Sequence, residues 1–238
     1  MTQNLISNEP TQTRSDWQLA ITVDMVLRGQ GAEPQKIRAR QPQIITLAER
    51  AIAEGNGLIH PQVAFRRLEI CGVSLSCVML RGGTELNGFG IARKLVGCQG
   101  VFLAVATLGK KLEAEMDKAS QADLPWQFAL DGFGTAATGA LSNAACRFFA
   151  ELAAREGLRA TSQFYPGMRG WPLAEGQRQI FSLVDAHSIG VALNPSFLMV
   201  PRKSLSFAAG FGTHAQPAGH LCDECSISAK CRHKQAHR

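Results

Sequence analysis

Three cysteines near the C-terminus have the spacing of a metal-binding motif. Cys222 and Cys225 flank Asp223 and Glu224, and five residues separate Cys225 from Cys231. Two cysteines three positions apart can hold one ion from a tight turn, because thiolates prefer soft metals. The spacing is therefore compatible with a zinc site or an iron–sulfur cluster, and also with a tail whose thiols remain free.

A fourth ligand would have to come from outside this trio. A histidine completes many zinc sites, and His214, His220 and His233 are available. An iron–sulfur cluster usually takes four cysteines, for which Cys98 of the body is the candidate. The sequence leaves zinc, cluster and free thiols open.

A proline–glycine turn supplies the second candidate site. In the segment Tyr165-Pro166-Gly167-Met168, proline occupies the first central position and glycine the second, which favours a type II turn. Such a turn presents backbone groups, and we expect Tyr165, Met168 and Trp171 to project around it. The simpler interpretation is a proline-rich connection before a helix.

Common catalytic and nucleotide-binding motifs are absent from the sequence. It contains no GxxxxGK[ST], no HExxH and no GxSxG, and no GxGxxG between a strand and a helix. The pairs Gly82-Gly83 and Gly88-Phe89-Gly90 are too isolated to indicate phosphate loops. Residue patterns alone therefore assign no catalytic residue.

The composition indicates a folded cytoplasmic protein. Hydrophobic residues make up 45% of the 238 residues and charged residues 18%, which excludes a disordered chain. A chain of this length does not need a metal or disulfides to fold. No apolar run is long enough to span a membrane, and residues 1–16 lack the apolar core of a signal peptide. We expect no membrane partner.

The charge distribution and the isolated cysteines argue against two further classes of protein, nucleic-acid binders and disulfide-stabilised proteins. The net charge is +6, and the basic residues cluster only at 230–238 without interleaved aromatics, so we expect no nucleic-acid partner. Outside the tail, each cysteine stands alone in an apolar stretch, which favours reduced, buried thiols over a disulfide framework. These are Cys71, Cys77, Cys98 and Cys146.

Hydrophobic periodicity predicts a mixture of helices and strands between residues 17 and 212. The predicted helices are Ile44–Ala53, Phe89–Val96, Lys110–Ala119, Trp126–Glu156 and Pro172–Ala186. The predicted strands are Trp17–Leu27, Val63–Cys71, Val73–Leu80 and Val101–Thr107, followed by a hairpin formed by Phe197–Val200 and Leu205–Gly210. Because no βαβ rhythm appears, the pattern predicts one α+β domain with a largely antiparallel sheet.

This domain is predicted to lie between two less regular ends. Residues 1–16 form a flexible leader, and 213–238 form a linker and a tail with cysteines and histidines. Within the domain, the long helix contains Gly132, Gly134 and Gly139, each costing about 1 kcal/mol of helix propensity. So many small residues predict close packing by another helix or, less often, by a flat cofactor. We expect this helix to lie against the sheet.

A set of segments occurs in the order of a known family. The segments are Leu58–Arg66, Ala92–Cys98, Val101–Gly109, Leu130–Ala137, Tyr165–Gly167, Trp171–Leu173, Gln179–Asp185 and Ile189–Ser204. Together they resemble the reactivation domain of cobalamin-dependent methionine synthase in its stand-alone form. Stand-alone members often end in a similar cysteine tail.

The resemblance implies a fold, cofactors and partners. It implies a curved α+β domain with an antiparallel sheet that binds S-adenosylmethionine and caps the cobalamin of a corrinoid-binding methyltransferase module. In the family this supports reductive methylation of cob(II)alamin. The electron comes from a flavodoxin- or ferredoxin-like donor.

The resemblance also implies site residues around the turn. The family motif Arg-x-x-Pro-Gly-Tyr aligns with Gln163, Pro166, Gly167 and Met168, with Tyr165 inside it. In the family the arginine contacts the methyl donor and the tyrosine lies beside the corrin ring. Both side-chain functions are missing here, because Gln163 stands at the arginine position and Met168 at the tyrosine position.

The charged side chains with which the family binds the methyl donor also differ in this sequence. Arg159 and Arg169 are close enough in sequence to replace the missing arginine, while the family's helix glutamate aligns with Gly139. Charge-assisted contacts contribute about 1.5–3 kcal/mol each. Their loss predicts weak or absent binding of S-adenosylmethionine.

Two functions follow from the resemblance. The leading one is an accessory protein that supports reductive remethylation of a corrinoid held by a partner. The alternative is a non-catalytic or electron-relay module of the same fold that has lost S-adenosylmethionine binding and docks on a corrinoid or redox partner. A zinc-stapled adaptor without chemistry is a third possibility.

Overall fold

A seven-stranded antiparallel sheet forms the centre of the computed structural model, which describes residues 10–216. Its strands are β1 (Gln12–Arg14), β2 (Gln62–Val73), β3 (Cys77–Leu80), β4 (Glu85–Asn87), β5 (Gly100–Thr107), β6 (Arg159–Ala160) and β9 (Ser204–Gly212). Their order is β4-β3-β2-β5-β9-β6, and β1 pairs with the first part of β2. Two further strands, β7 (Ala192–Leu193) and β8 (Met199–Val200), pair with each other.

Helices cover both faces of this sheet. They are α1 (Val23–Gly29), α2 (Pro34–Arg40), α3 (Pro42–Gly55), α4 (Phe89–Lys94), α5 (Lys111–Ala122), α6 (Leu124–Arg155) and α7 (Leu173–Leu183), with a 3-10 helix at Ala186–Ile189. The prediction of a single α+β domain with an antiparallel sheet packed by helices is confirmed.

The central strand β5 separates two hydrophobic cores. All eight of its residues are buried, so its sequence is continuously apolar rather than alternating. Phe102 and Ala104 point into the core beneath α6, whereas Leu103 and Val105 point into the core beneath α4 and α7. This strand therefore joins both halves of the domain.

Helix α6 lies against one face of the sheet, as its small-residue stripe predicts. Phe149 of α6 stacks on Phe102 of β5 with ring centroids 4.6 Å apart and planes 8° apart. Helices α1, α3 and α5 pack in turn on α6. Its hydrophobic residues are therefore buried by the sheet on one side and by helices on others.

The predicted strand over Trp17–Leu27 is wrong. Residues 15–22 have no regular secondary structure, and α1 begins after Thr22, whose hydroxyl accepts a hydrogen bond from Met25 N at 3.3 Å. Trp17 and Leu19 are partly buried against the core. The alternation thus reflects an extended segment lying on the core, and the N-cap then starts a helix.

The predicted hairpin between Phe197–Val200 and Leu205–Gly210 is also wrong. Strand β8 pairs with β7, whereas β9 pairs with β5 on one side and β6 on the other. Strand β5 pairs along nearly all of β9, and β6 pairs only with Phe211 and Gly212 at its end. The short strands β4 and β6 lack a periodic pattern long enough to predict.

The pairing of β2 with β3 differs from the prediction in detail. Strand β2 continues through Gly72, where the register with β3 shifts, instead of ending there. The chain turns after it, where Ser74 N donates to Cys77 O at 2.8 Å. Gly72 therefore marks an irregularity within a ladder.

The folded body extends past the predicted domain limits at both ends. Gln12–Arg14, expected in the leader, pair with Val63–Phe65 of β2. Ala215, expected in the linker, is fully buried in the second core. None of the helices within residues 10–216 is long and apolar enough to cross a membrane.

Candidate functional site

The proline–glycine turn has the predicted type II geometry. Met168 N donates to Tyr165 O at 3.0 Å, and Gly167 has φ of 94°. A positive φ at the second central position is what this turn requires of glycine. Gly167 N also donates to Trp171 O at 2.7 Å, which closes the loop behind the turn.

The start of α4 holds this loop through close backbone contact. Gly90 N donates to Gly170 O at 2.9 Å. A Cβ added to Gly88 would lie 2.5 Å from the same carbonyl oxygen, and one added to Gly90 would overlap the Arg169 carbonyl. Gly88 and Gly90 thus allow the backbone at the start of α4 to contact the backbone of the loop at 169–170.

Trp171 does not project around the turn, contrary to the prediction. Its side chain is fully buried and stacks on Phe164, with ring centroids 5.9 Å apart and planes 14° apart. Its indole Nε1 donates to Gln179 Oε1 of α7 at 3.0 Å. Trp171 therefore supports the turn from the core.

Neutral side chains of α6 bond to the segment before the turn. The buried Gln163 donates from Nε2 to Asn143 Oδ1 at 2.7 Å. The Tyr165 hydroxyl and Ser142 Oγ share a hydrogen bond of 2.9 Å. The structure therefore brings the turn segment and the middle of α6 together.

Two ionisable groups at this contact are held neutral. Burial raises the pKa of Tyr165 to about 12, although hydrogen bonds from Ser142 and Gln163 oppose the shift. Burial likewise raises the pKa of Cys146 to about 12, against a smaller effect of its hydrogen bond with the Gln163 backbone. At neutral pH both groups are therefore uncharged.

Gly139 lies one helical turn before Asn143 and faces open space. A Cβ added to it would have no atom within 4 Å. Between Asp131 and Glu151, α6 contains no acidic residue. This part of the helix therefore offers room for a ligand and no carboxylate for an ammonium group.

The two candidate arginines lie at the surface. Arg159 donates from Nη2 to Thr213 O at 3.1 Å, beside the end of β9. Arg169 is exposed in the loop after the turn, and its side chain makes no hydrogen bond or ion pair with any residue from 10 to 216. Neither guanidinium joins the hydrogen-bonded cluster at Gln163 and Tyr165.

Two cavities lie away from the turn. One of about 700 Å³ is lined by helices α1 to α3 and the start of α6, including Leu124 and Phe128. Another of about 800 Å³ lies where β5 leads into α5. The sequence did not reveal either one, because each is lined by segments that are distant along the chain.

The predicted metal ligands Cys222, Cys225 and Cys231 lie outside the described residues. Within 10–216, no group of three or more histidine, cysteine or acidic residues could hold a metal ion. Cys98, the candidate fourth ligand, is buried, and burial raises the pKa of its thiol to about 11.

The four cysteines of the body are free thiols, as predicted. Their expected burial holds for Cys98 only: Cys77 and Cys146 are partly buried, and Cys71 is exposed. Cys71 occupies the irregular stretch of β2 between Ile70 and Gly72, where the register with β3 shifts. This irregularity in the strand pairing explains why the Cys71 thiol is exposed although its neighbours in sequence are apolar.

Comparisons with known proteins establish the fold. No protein-family model matches the chain, and no curated protein matches it in sequence. A solved structure described as "Crystal Structure of the MetH Reactivation Domain bound to AdoHcy" is similar, with a TM-score of 0.60 and 13% identity. The likeness covers 96% of this chain and 86% of that one. The resemblance to a reactivation domain therefore holds at the level of fold.

Proposed function

We propose that this protein is an accessory of a corrinoid-dependent methyltransferase. It docks on the corrinoid-binding module of a partner and supports reductive remethylation of the bound cobalamin. The type II turn at Tyr165–Met168 is the observation on which the proposal rests, because it is rigidly held between α4 and α6 in a fold shared with a methionine synthase reactivation domain.

The proposal assigns the chain a positioning role. S-adenosylmethionine supplies the methyl group, and a flavodoxin- or ferredoxin-like protein supplies the electron that makes cobalt nucleophilic. Methyl transfer requires the donor sulfonium to be held in line with the cobalt, and orientation of this kind can lower a barrier by several kcal/mol. Backbone groups of the turn and the open space at Gly139 are the features suited to hold the donor.

One observation favours the alternative, a module that has lost the donor. Gln163, Asn143, Ser142 and Tyr165 satisfy one another as neutral groups. The carboxylate and ammonium of S-adenosylmethionine need partners once they leave water. Losing two charge-assisted contacts weakens binding by roughly two to four powers of ten.

Isothermal titration with S-adenosylmethionine and S-adenosylhomocysteine measures how much affinity for the donor this chain supplies without the partner. We expect dissociation constants of about a millimolar or weaker. Gly139→Glu should strengthen binding, because a carboxylate enters the open space on α6 at the position that aligns with the family's glutamate, whereas Gly139→Gln should not. Low-micromolar binding abolished by Arg159→Ala or Arg169→Ala would instead show that a surface arginine supplies the charge and would support the complete reactivation role.

Docking is tested with the cob(II)alamin-loaded module of a cobalamin-dependent methionine synthase. Sedimentation detects complex formation, and absorbance detects methylcobalamin after addition of S-adenosylmethionine and reduced flavodoxin. Complex formation with methylation supports the accessory role, and a complex without methylation supports the alternative. Absence of a complex would contradict both.

A further inference from the structure

A cavity of about 800 Å³ lies at the junction of β5 and α5. Its walls come from residues 58–60, 62, 108–111, 188–190 and 200–201. This volume is within the range of small-molecule binding sites in proteins. The cavity contains none of the turn residues discussed above, so it is a separate candidate site.

The ionisable side chains that line this cavity are all basic. Lys110, Lys111 and His60 line it, and no aspartate or glutamate does. Neither lysine forms an ion pair with any residue from 10 to 216. Gln62 adds a neutral hydrogen-bonding group, whereas the Ser188 hydroxyl already donates to Asp185 O at 2.6 Å. The amides in the first turn of α5, which lack helical acceptors, add further positive potential.

The nearest acidic residues of α5 are already engaged elsewhere. Glu113 accepts hydrogen bonds from Arg202 N and Arg202 Nε, both at 2.7 Å. Asp117 accepts another from Arg202 Nη2 at 2.5 Å. Both carboxylates therefore bond to Arg202, which offsets one of their two negative charges, and no carboxylate lines the cavity to pair with Lys110 or Lys111.

The remaining walls are apolar. Ile59, Ile189 and Pro201 contribute hydrocarbon surface. A cavity with a basic end and apolar walls matches a molecule with one anionic group and an apolar body. A purely inorganic anion would leave those walls in contact with water.

We propose that this cavity binds a small organic anion, with a phosphate or carboxylate at Lys110 and Lys111 and an apolar body against Ile59, Ile189 and Pro201. The site is independent of the function proposed above. Phosphate and carboxylate share the required charge and hydrogen-bond acceptors. Phenyl phosphate and benzoate therefore serve as probes for the two sources of the anion.

The test is an amide NMR titration of the full-length protein at physiological ionic strength. Phenyl phosphate or benzoate should shift the amide signals of Gly109, Lys110 and Lys111 saturably. The double variant Lys110→Gln/Lys111→Gln should bind about tenfold more weakly or worse, because two charge-assisted contacts are lost. Lys118→Gln, which removes an exposed lysine further along α5, is the matched control and should bind normally.

Three results would overturn the proposal. One is the absence of saturable shifts at these amides with either probe. Another is equal binding of neutral benzyl alcohol or of inorganic phosphate, since the first would remove the need for charge and the second the need for apolar walls. The third is equal weakening by Lys118→Gln and by the double variant. Unchanged amide signals elsewhere confirm that the variants remain folded.

Discussion

At the scale of single residues, the contact between α6 and the turn is a set of mutually satisfied neutral groups. Gln163 bonds to Asn143, and Tyr165 bonds to Ser142. A buried polar group without such a partner costs about 1–3 kcal/mol. The pairs therefore remove that cost without placing charge in the core.

Tyr165 is the only tyrosine in the chain, so its ionisation can be measured directly. Its pKa should be about 12, raised first of all by burial. Because the folded pKa lies above the ordinary value of about 10, the protein's stability is fully present below pH 10 and falls as pH rises toward 12. Ultraviolet absorbance of tyrosinate, followed against pH, measures this shift.

Circular dichroism over the same pH range is the control for unfolding. In urea the midpoint should return to about 10, since the phenol is then solvated. Tyr165→Phe should remove the signal and lower the free energy of unfolding by about 1 kcal/mol, because Ser142 loses its partner. A midpoint near 10 with native circular dichroism would contradict the buried, hydrogen-bonded phenol.

At the scale of elements, the three glycines of α6 have three different environments. Gly132 contacts α1, where an added Cβ would lie 2.8 Å from Val26 O. Gly134 contacts the Lys203 side chain, whose ammonium donates to Asp131 Oδ1 at 2.8 Å. Gly139 has open space beside it. A single stripe of small residues thus contains both close helix packing and an exposed gap.

These environments predict opposite effects of the same substitution. Gly139→Ala should stabilise the protein by about 0.5–1 kcal/mol, because helix propensity rises and nothing is displaced. Gly132→Ala should destabilise it by about 1–3 kcal/mol, because the added methyl group meets the backbone of α1. Urea unfolding of the two variants beside the wild type measures both effects.

The pair of variants controls for helix propensity, since both change glycine to alanine within the same helix. Stabilisation by both would mean that α1 does not approach α6 as closely as the structure indicates. Destabilisation by Gly139→Ala would mean that the space beside it is filled. Either result would contradict the packing described for α6.

At the scale of the whole molecule, two hydrophobic cores lie on either side of β5 within residues 10–216. Phe102, Phe149 and Phe211 anchor one core, and Trp171 and Ile180 belong to the other. Burial of this extent is sufficient for a domain of this length to fold. The tail cysteines are therefore expected to act in binding, not in folding.

We predict that Cys222, Cys225 and Cys231 bind a metal ion or cluster, so replacing all three by serine should abolish the metal content and leave the thermal midpoint of the body nearly unchanged. Zinc, iron and sulfide analysis of anaerobically purified protein measures the first effect, and calorimetry the second. Cys71→Ser, at an exposed cysteine of the body, is the matched control and should leave the metal content unchanged. Equal metal content in wild type and triple variant would rule out a site at these cysteines.

Much of the fold was predictable from sequence because its elements are long and strongly patterned. The helices around Ile44–Ala53 and Trp126–Glu156 and the strand at Val101–Thr107 were predicted on that basis. The type II turn followed from the chemistry of Pro166 and Gly167 alone. Local steric preferences and continuous hydrophobic runs determine such features before any tertiary contact forms.

Tertiary structure decided what local patterns leave ambiguous. The alternation at Trp17–Leu27 gave way to α1 because the helix packs on Gly132. The predicted hairpin failed because β8 pairs with β7 and β9 pairs with β5. The neutral cluster at Gln163 and the basic cavity at Lys110 also join distant segments. Side chains far apart in sequence meet only after the chain has folded, so local periodicity contains no information about them.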